Sequence, residues 1–111
     1  MNILVVDDCK EVIEITTNLL EAKGHSVVVA DFEHAMECFL KNEINCVLVN
    51  ADPSKYTLIL NFCVSARIIA PTLYVLIWTL STDDVEIKFL ELSGAKVFSS
   101  LKIIDEIAKV F

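Results

Sequence analysis

Glycine and proline are scarce in this sequence, which has only two of each in 111 residues. The two glycines, Gly24 and Gly94, lie far apart, so the chain contains neither a GxGxxG loop nor a Walker loop. Such loops cradle phosphate groups, and their absence argues against dinucleotide and P-loop chemistry. No Ser–His–acid or Cys–His arrangement has local support either. We therefore expect that the protein is not an enzyme.

Basic residues are also few, with nine lysines and arginines against 16 aspartates and glutamates and a formal net charge of −7. A nucleic-acid partner needs a basic protein face that neutralises its phosphates. We therefore expect no direct contact with nucleic acid. A negative charge still permits a cation or a basic protein surface as a partner.

The four cysteines form no CxxC pair, and the two histidines stand in no zinc-like spacing with them. An even number of cysteines would allow two disulfides. Reduced, mostly buried thiols are the simpler interpretation, and they are typical of a cytosolic protein. We expect free thiols and a cytoplasmic location.

Signals for export or membrane insertion are missing as well. The amino-terminal segment MNILVVDDCK meets two acids at residues 7 and 8, unlike a signal peptide. The longest apolar stretch, residues 57–80, is interrupted by Asn61, Arg67 and Pro71. A buried helix followed by a buried strand explains this stretch better than a membrane span.

The chain does contain short apolar runs that alternate with longer amphipathic segments. The runs are rich in Val, Ile and Leu, and they cover residues 3–6, 26–30, 46–49, 73–78 and 97–98. Because polar and apolar residues do not alternate within them, they predict strands that are buried on both faces, as in a parallel sheet.

Helical patterns fill the segments between these runs, at about residues 9–23, 32–41, 55–69, 83–93 and 103–110. Asp8, Asp31 and Ser81 are the predicted caps at three of the helix starts. The alternation predicts one α/β domain over residues 1–111, with a parallel sheet covered by helices on both faces. In such sheets the functional site forms beyond the carboxyl ends of the strands.

Polar residues follow the predicted strands at that edge. Asp7 and Asp8 follow the first strand, Asn50 and Asp52 the third, and Thr79 the fourth. If the first and third strands are neighbours, three carboxylates and an amide converge, and oxygen-rich clusters of this kind suit Mg²⁺. The alternative is that Asp8 only caps a helix and that Asp52 only forms a turn beside a proline.

The segments ILVVDD, CVLVNAD, VLIWT and SGAKVFS resemble the receiver domains of response regulators, the CheY-like phosphoacceptor modules of two-component signalling and phosphorelays. The resemblance covers essentially the whole chain. It implies a flavodoxin-like, doubly wound sheet of five parallel strands in the order 2-1-3-4-5. It also implies a histidine kinase as phosphodonor and a partner or dimer surface made by the fourth helix, fifth strand and fifth helix.

The resemblance further implies roles for single residues. Asp7 and Asp8 match the family's Mg²⁺-binding acids, with Asp52 as a possible third ligand. Thr79 matches the hydroxyl that grips the phosphoryl group, and Phe98 matches the aromatic residue that reorients when the domain switches.

Three departures fall on positions that take part in the family's chemistry. Asn50 occupies the phosphoacceptor position, and an amide cannot form an acyl phosphate. Leu101 occupies the position of the family's lysine, and Lys102, one residue later, points to the other face of an extended segment. Leu80 stands where a small residue usually keeps the pocket open. Together they predict a pseudo-receiver that acts as a protein-interaction module and binds Mg²⁺ weakly.

Two alternatives remain open. Asp52 could be the nucleophile of a working, Mg²⁺-dependent phosphoacceptor, which would require the third strand to extend or bulge by two residues. Alternatively, the chain could be a flavodoxin-like ligand-binding domain that uses the same edge of the sheet.

Overall fold

A single parallel sheet organises the chain, and the computed structural model describes residues 1–79, 81 and 83–99 of it. The sheet has five strands in the order β2-β1-β3-β4-β5, which confirms the predicted class and order. The elements are β1 (Asn2–Val6), α1 (Lys10–Ala22), β2 (Ser26–Ala30), α2 (Ala35–Lys41), β3 (Cys46–Asn50), α3 (Tyr56–Ile69), β4 (Tyr74–Thr79), α4 (Asp84–Glu91) and β5 (Lys96–Ser99). The predicted helix at 103–110 lies outside the described residues.

Helices cover both faces of the sheet because successive strand residues point to opposite sides. On one face, Ile3, Val5 and Leu48 pack with Leu20 of α1. On the other, alternate residues of the same strands form a larger cluster with α2, α3 and α4. The continuous burial of β1 and β3 follows from these two layers and agrees with the uninterrupted apolar runs.

The three predicted helix caps were wrong. The N-cap of α1 is Cys9 and not Asp8, and it makes no side-chain cap bond. The N-cap of α4 is Asp83 and not Ser81, and its carboxylate accepts hydrogen bonds from the next helical N–H groups. The N-cap of α2 is His34 and not Asp31, because the hydrogen bond from the N–H of His34 to Asp31 closes a turn before the helix begins at residue 35.

All four cysteines are free thiols, and two of them are buried inside the sheet and α3. Burial raises the pKa of the Cys46 and Cys63 thiols to about 12, so both are neutral and unreactive at ordinary pH. None of the helices in the described ranges is both long and apolar enough to cross a membrane.

The pKa values of the two histidines should depart in opposite directions from the ordinary value for an imidazole. The Oδ1 atom of Asp31 lies 2.7 Å from Nδ1 of His34 and raises the pKa of that imidazole. Partial burial, with the N-terminal ammonium group and Lys23, lowers the pKa of His25. An NMR titration of the ring protons should therefore give a higher midpoint for His34 than for His25.

Asp31→Asn is the matched variant for this titration. It should lower the midpoint of His34 and leave that of His25 in place. Because the folded-state pKa is raised, the stability contributed by protonated His34 is present below its unfolded pKa and is lost as the pH rises through the folded value. Equal midpoints in the wild-type protein would contradict the Asp31–His34 contact.

Candidate functional site

The candidate site is a cavity at the carboxyl edge of the sheet. β1 lies between β2 and β3, so the strand order reverses beside it, and a crevice opens at such a switch point. The cavity has a volume of about 390 Å³, and its polar lining consists of Asp7, Asp8, Asn50, Asp52, Thr79 and Ser81. The structure thus brings together the predicted site residues at the carboxyl ends of β1, β3 and β4.

Asp7 is the most deeply placed acid of the site and is only 4% exposed. Its Oδ1 atom accepts the backbone N–H of Cys9 at 2.9 Å. Its Oδ2 atom accepts a hydrogen bond from Nδ2 of Asn50 at 3.1 Å. Both oxygens of this buried carboxylate therefore have protein donors, which offsets the cost of taking the charge out of water.

Asp8 differs from its neighbour in both exposure and contacts. It is exposed, and its Oδ1 atom accepts the backbone N–H of Phe32 at the long distance of 3.4 Å. The two acids that follow β1 are therefore not equivalent, because only Asp7 is fixed in the floor of the cavity.

Asn50 ends β3 and pairs with Trp78 of β4. The ladder continues one residue further, since the N–H of Ala51 donates to the carbonyl of Trp78 at 2.8 Å. Strand β3 thus leaves the sheet without a bulge, and the half-buried amide of Asn50 points to Asp7.

Asp52 lines the same cavity, but its carboxylate is bound within its own turn. Its Oδ1 atom accepts the N–H of Ser54 at 3.0 Å and the hydroxyl of Ser54 at 2.8 Å, which caps a short 3₁₀ turn, Pro53–Lys55. The side-chain and then the backbone hydrogen bond from Ser54 lower the pKa of Asp52, so the group is ionised at neutral pH.

The donor set suits a hard cation only in part. Among residues 1–79, 81 and 83–99, no group of three or more acid, histidine or cysteine side chains is arranged to hold a metal ion. Mg²⁺ can bind through one or two carboxylates and water, for which Asp7 and Asp8 would serve. A cation at Asp7 would have to compete with the amide donor of Asn50. The residues present therefore fit a weak Mg²⁺ site.

Thr79 lies at the end of β4 and is 1% exposed. Its Oγ1 atom accepts the N–H of Ser81 at 3.0 Å, and its hydroxyl also interacts with that of Tyr56. The hydroxyls of Tyr56 and Ser81 both donate to Oε2 of Glu86 in α4. A hydroxyl network thus ties the start of α3, the end of β4 and α4 together.

Tyr56 and Glu86 could not be found from local sequence, because they lie on separate helical patterns and come into contact only in the folded chain. Phe98, the predicted switch aromatic, pairs with Trp78 and is partly buried against the cluster under α1. Leu80, Leu101 and Lys102 fall outside the described residues.

No family model matches the sequence, and no curated protein matches it either. Solved structures do match. A two-component response regulator from Clostridium difficile is 24% identical, with a TM-score of 0.81, and the match covers 99% of this chain and 92% of that one. A response regulator from Thermotoga maritima is 20% identical, with a TM-score of 0.82 and coverage of 98% and 95%. An orphan response regulator of H. pylori is 15% identical, with a TM-score of 0.82 and coverage of 98% and 94%.

These likenesses extend over nearly the whole of each chain, and they agree with the strand order of the sheet. At such low identities they establish the fold alone. The chain has the fold of the CheY-like receiver domains of response regulators.

Proposed function

We propose that this chain is a pseudo-receiver of two-component signalling, a domain of the response-regulator type that binds partner proteins and does not accept a phosphoryl group. The observation that supports this most directly is the hydrogen bond from Asn50 to Asp7 at 3.1 Å. An amide at the end of β3 offers no carboxylate nucleophile. On this proposal the domain is a cytoplasmic binding module and not an enzyme.

The same hydrogen bond should stabilise the site in the absence of a metal ion. Three or more carboxylates in one cavity repel one another unless a cation neutralises them. Asn50 removes one of these charges and places a hydrogen-bond donor against Asp7. The ends of β1 and β3 are then held together by the protein alone, and Asp7 and Asp8 bind Mg²⁺ at most weakly.

The binding surface that we propose includes the outer side of α4. Val85 and Leu92 are 76% and 79% exposed, and Phe89 between them is 41% exposed. These residues are spaced by about one helical turn, so they form an apolar stripe. A histidine kinase, an output protein or a second copy of the chain could cover this stripe, together with β5 and the residues that follow it.

A working phosphoacceptor that uses Asp52 is the second candidate, because Asp52 lines the same cavity as Asp7 and Asp8. Two observations weigh against it. The carboxylate of Asp52 accepts two hydrogen bonds within its own turn. The β3–β4 ladder also runs on through Ala51 without a bulge that would bring Asp52 to the end of the strand.

Intact mass spectrometry after incubation with acetyl phosphate and Mg²⁺ distinguishes the two candidates. We expect no Mg²⁺-dependent phosphate adduct on the wild-type chain, because no side chain at the end of β3 can accept the phosphoryl group. A receiver domain that is known to accept phosphate from this donor should be treated in parallel as the positive control. An adduct on the wild-type chain that disappears in Asp52→Asn would overturn the proposal in favour of the second candidate.

A further inference from the structure

A second cavity opens at the opposite edge of the sheet from the candidate site. It lies at the amino ends of β4 and β5, beside the end of α3, and has a volume of about 480 Å³. Its lining combines two cationic side chains with polar and apolar groups, and includes Arg67, Lys96, Tyr74, Thr72, Pro71 and Gly94. None of these residues takes part in the function proposed above.

Arg67 is held at the wall of this cavity by its contact with Gly94. Its Nη1 group donates to the carbonyl of Gly94 at 2.8 Å. A Cβ atom at position 94 would lie only 3.4 Å from the guanidinium, and the backbone there has a φ of +82°, which favours glycine. The guanidinium is therefore oriented by one of its five N–H donors, and no other hydrogen bond from it is formed within residues 1–79, 81 and 83–99.

The charge at this cavity is opposite to that of the chain as a whole. The formal net charge is −7, yet the charged residues among the described lining are Arg67 and Lys96. The ion pairs among the described residues are Asp31–His34 and Glu37–Lys41, so neither Arg67 nor Lys96 has a carboxylate partner there. Two cations at one concave surface, neither paired with a carboxylate of the described part of the chain, create a local positive potential.

The remaining lining is apolar or aromatic. Leu73, Val75 and Leu76 are buried beneath the cavity, and the ring of Tyr74 is 48% exposed at its side. An anion without an apolar group, such as inorganic phosphate, would contact only the cationic part of this surface. A carboxylate on an apolar or aromatic body would use both parts, with the fork geometry of a guanidinium matching the two carboxylate oxygens.

We propose that this cavity binds a small organic acid through Arg67 and Lys96, with the apolar body of the ligand against Pro71 and Tyr74. The site is independent of the pseudo-receiver proposal, because it lies at the other end of the strands. A ligand bound there would contact both the end of α3, through Arg67, and the start of β5, through Lys96.

Sodium benzoate is a suitable probe, followed by ¹H–¹⁵N NMR at constant ionic strength. We expect saturable shifts at the amides of residues 72–76 and 94–96, with a dissociation constant of about 1 mM, ordinary for a ligand of this size. Acetate and benzyl alcohol, which each carry half of the ligand's chemistry, should bind at least about tenfold more weakly. Arg67→Gln and Lys96→Gln should each weaken benzoate binding about tenfold or more.

Lys23→Gln is the matched control, because it removes one positive charge from an exposed residue that does not line the cavity. It should change the benzoate affinity by less than about twofold. Lys96→Gln alters an exposed side chain at the start of β5, so it tests the proposal even if Arg67→Gln unfolds the chain. Linear shifts without saturation, an unchanged affinity in Lys96→Gln, or equal binding of inorganic phosphate and benzoate would overturn the proposal.

Discussion

Asn50→Asp should lower the free energy of unfolding of the metal-free protein by about 2–3 kcal/mol at pH 7. The variant has nearly the same shape as the wild type, so packing is unchanged. It replaces the amide donor, which lies 3.1 Å from Oδ2 of Asp7, with a second carboxylate. The partly buried pair loses a charge-assisted hydrogen bond and gains a repulsion that water screens incompletely.

This loss should be reversible by Mg²⁺ and by acid. A cation bound between the two carboxylates stabilises the folded variant, whereas the wild type, which already has a donor there, should respond little. The repulsion also raises the pKa of one carboxylate in the folded variant. Its cost is therefore fully present at neutral pH, shrinks as the pH falls through the raised folded-state pKa, and vanishes below the unfolded pKa.

Urea denaturation in EDTA, followed by the fluorescence of the single tryptophan, Trp78, measures this effect. Asn61→Asp is the control, because Asn61 is exposed on α3 and undergoes the same change from amide to acid. It should change the stability by less than about 0.5 kcal/mol. If Asn50→Asp is as stable as Asn61→Asp in EDTA, the Asn50–Asp7 hydrogen bond does not stabilise the fold.

The class of fold and the place of the site could be predicted because both depend on patterns that local sequence preserves. Uninterrupted Val, Ile and Leu runs are characteristic of strands with two buried faces, and the structure buries β1 and β3 in this way. Once the strands are parallel and alternate with helices, their carboxyl ends share one edge. The convergence of Asp7, Asn50 and Thr79 at one cavity follows from that geometry.

The contacts within the site could not be predicted, because they depend on tertiary placement. Tyr56 and Glu86 are 30 residues apart and meet only after α3 and α4 lie side by side. In the sequence Asp7 and Asp8 are equivalent neighbours, whereas the direction of the chain as it leaves β1 at Val6 decides which acid is buried. Here Asp7 turns inward and accepts the N–H of Cys9, so the expected cap at Asp8 is not formed.

This difference predicts unequal effects for the two acids. Asp7→Ala should lower the free energy of unfolding by about 3 kcal/mol, because it leaves the N–H of Cys9 and the amide of Asn50 without their acceptor in a part-buried site. Asp8→Ala should cost less than about 1 kcal/mol, since Asp8 is exposed and its contact with the N–H of Phe32 is long, at 3.4 Å. Urea denaturation in EDTA measures both variants. Equal losses would contradict the distinct roles of these acids.

An exchange of the two side chains separates the hydrogen bond from the charges. The double variant Asp7→Asn with Asn50→Asp keeps one carboxylate and one amide at the contact, with donor and acceptor reversed. The amide introduced at position 7 can still accept the N–H of Cys9 while donating to the new carboxylate at position 50. A double-mutant cycle should therefore give a favourable coupling of about 1–2 kcal/mol, with much of the loss in Asn50→Asp recovered.

The exchange also tests what the acid after β1 does in this chain. If its role is to accept a donor from the end of β3, the exchanged pair should be nearly as stable as the wild type without any metal ion. If its role is to bind Mg²⁺, the double variant keeps the same number of carboxylates near the cavity and should bind the ion as well as the wild type does. Its free energy of unfolding in EDTA should then be no higher than that of Asn50→Asp. Additive losses in EDTA would contradict the hydrogen-bonding role, and with it the view that Asn50 takes the place of the cation.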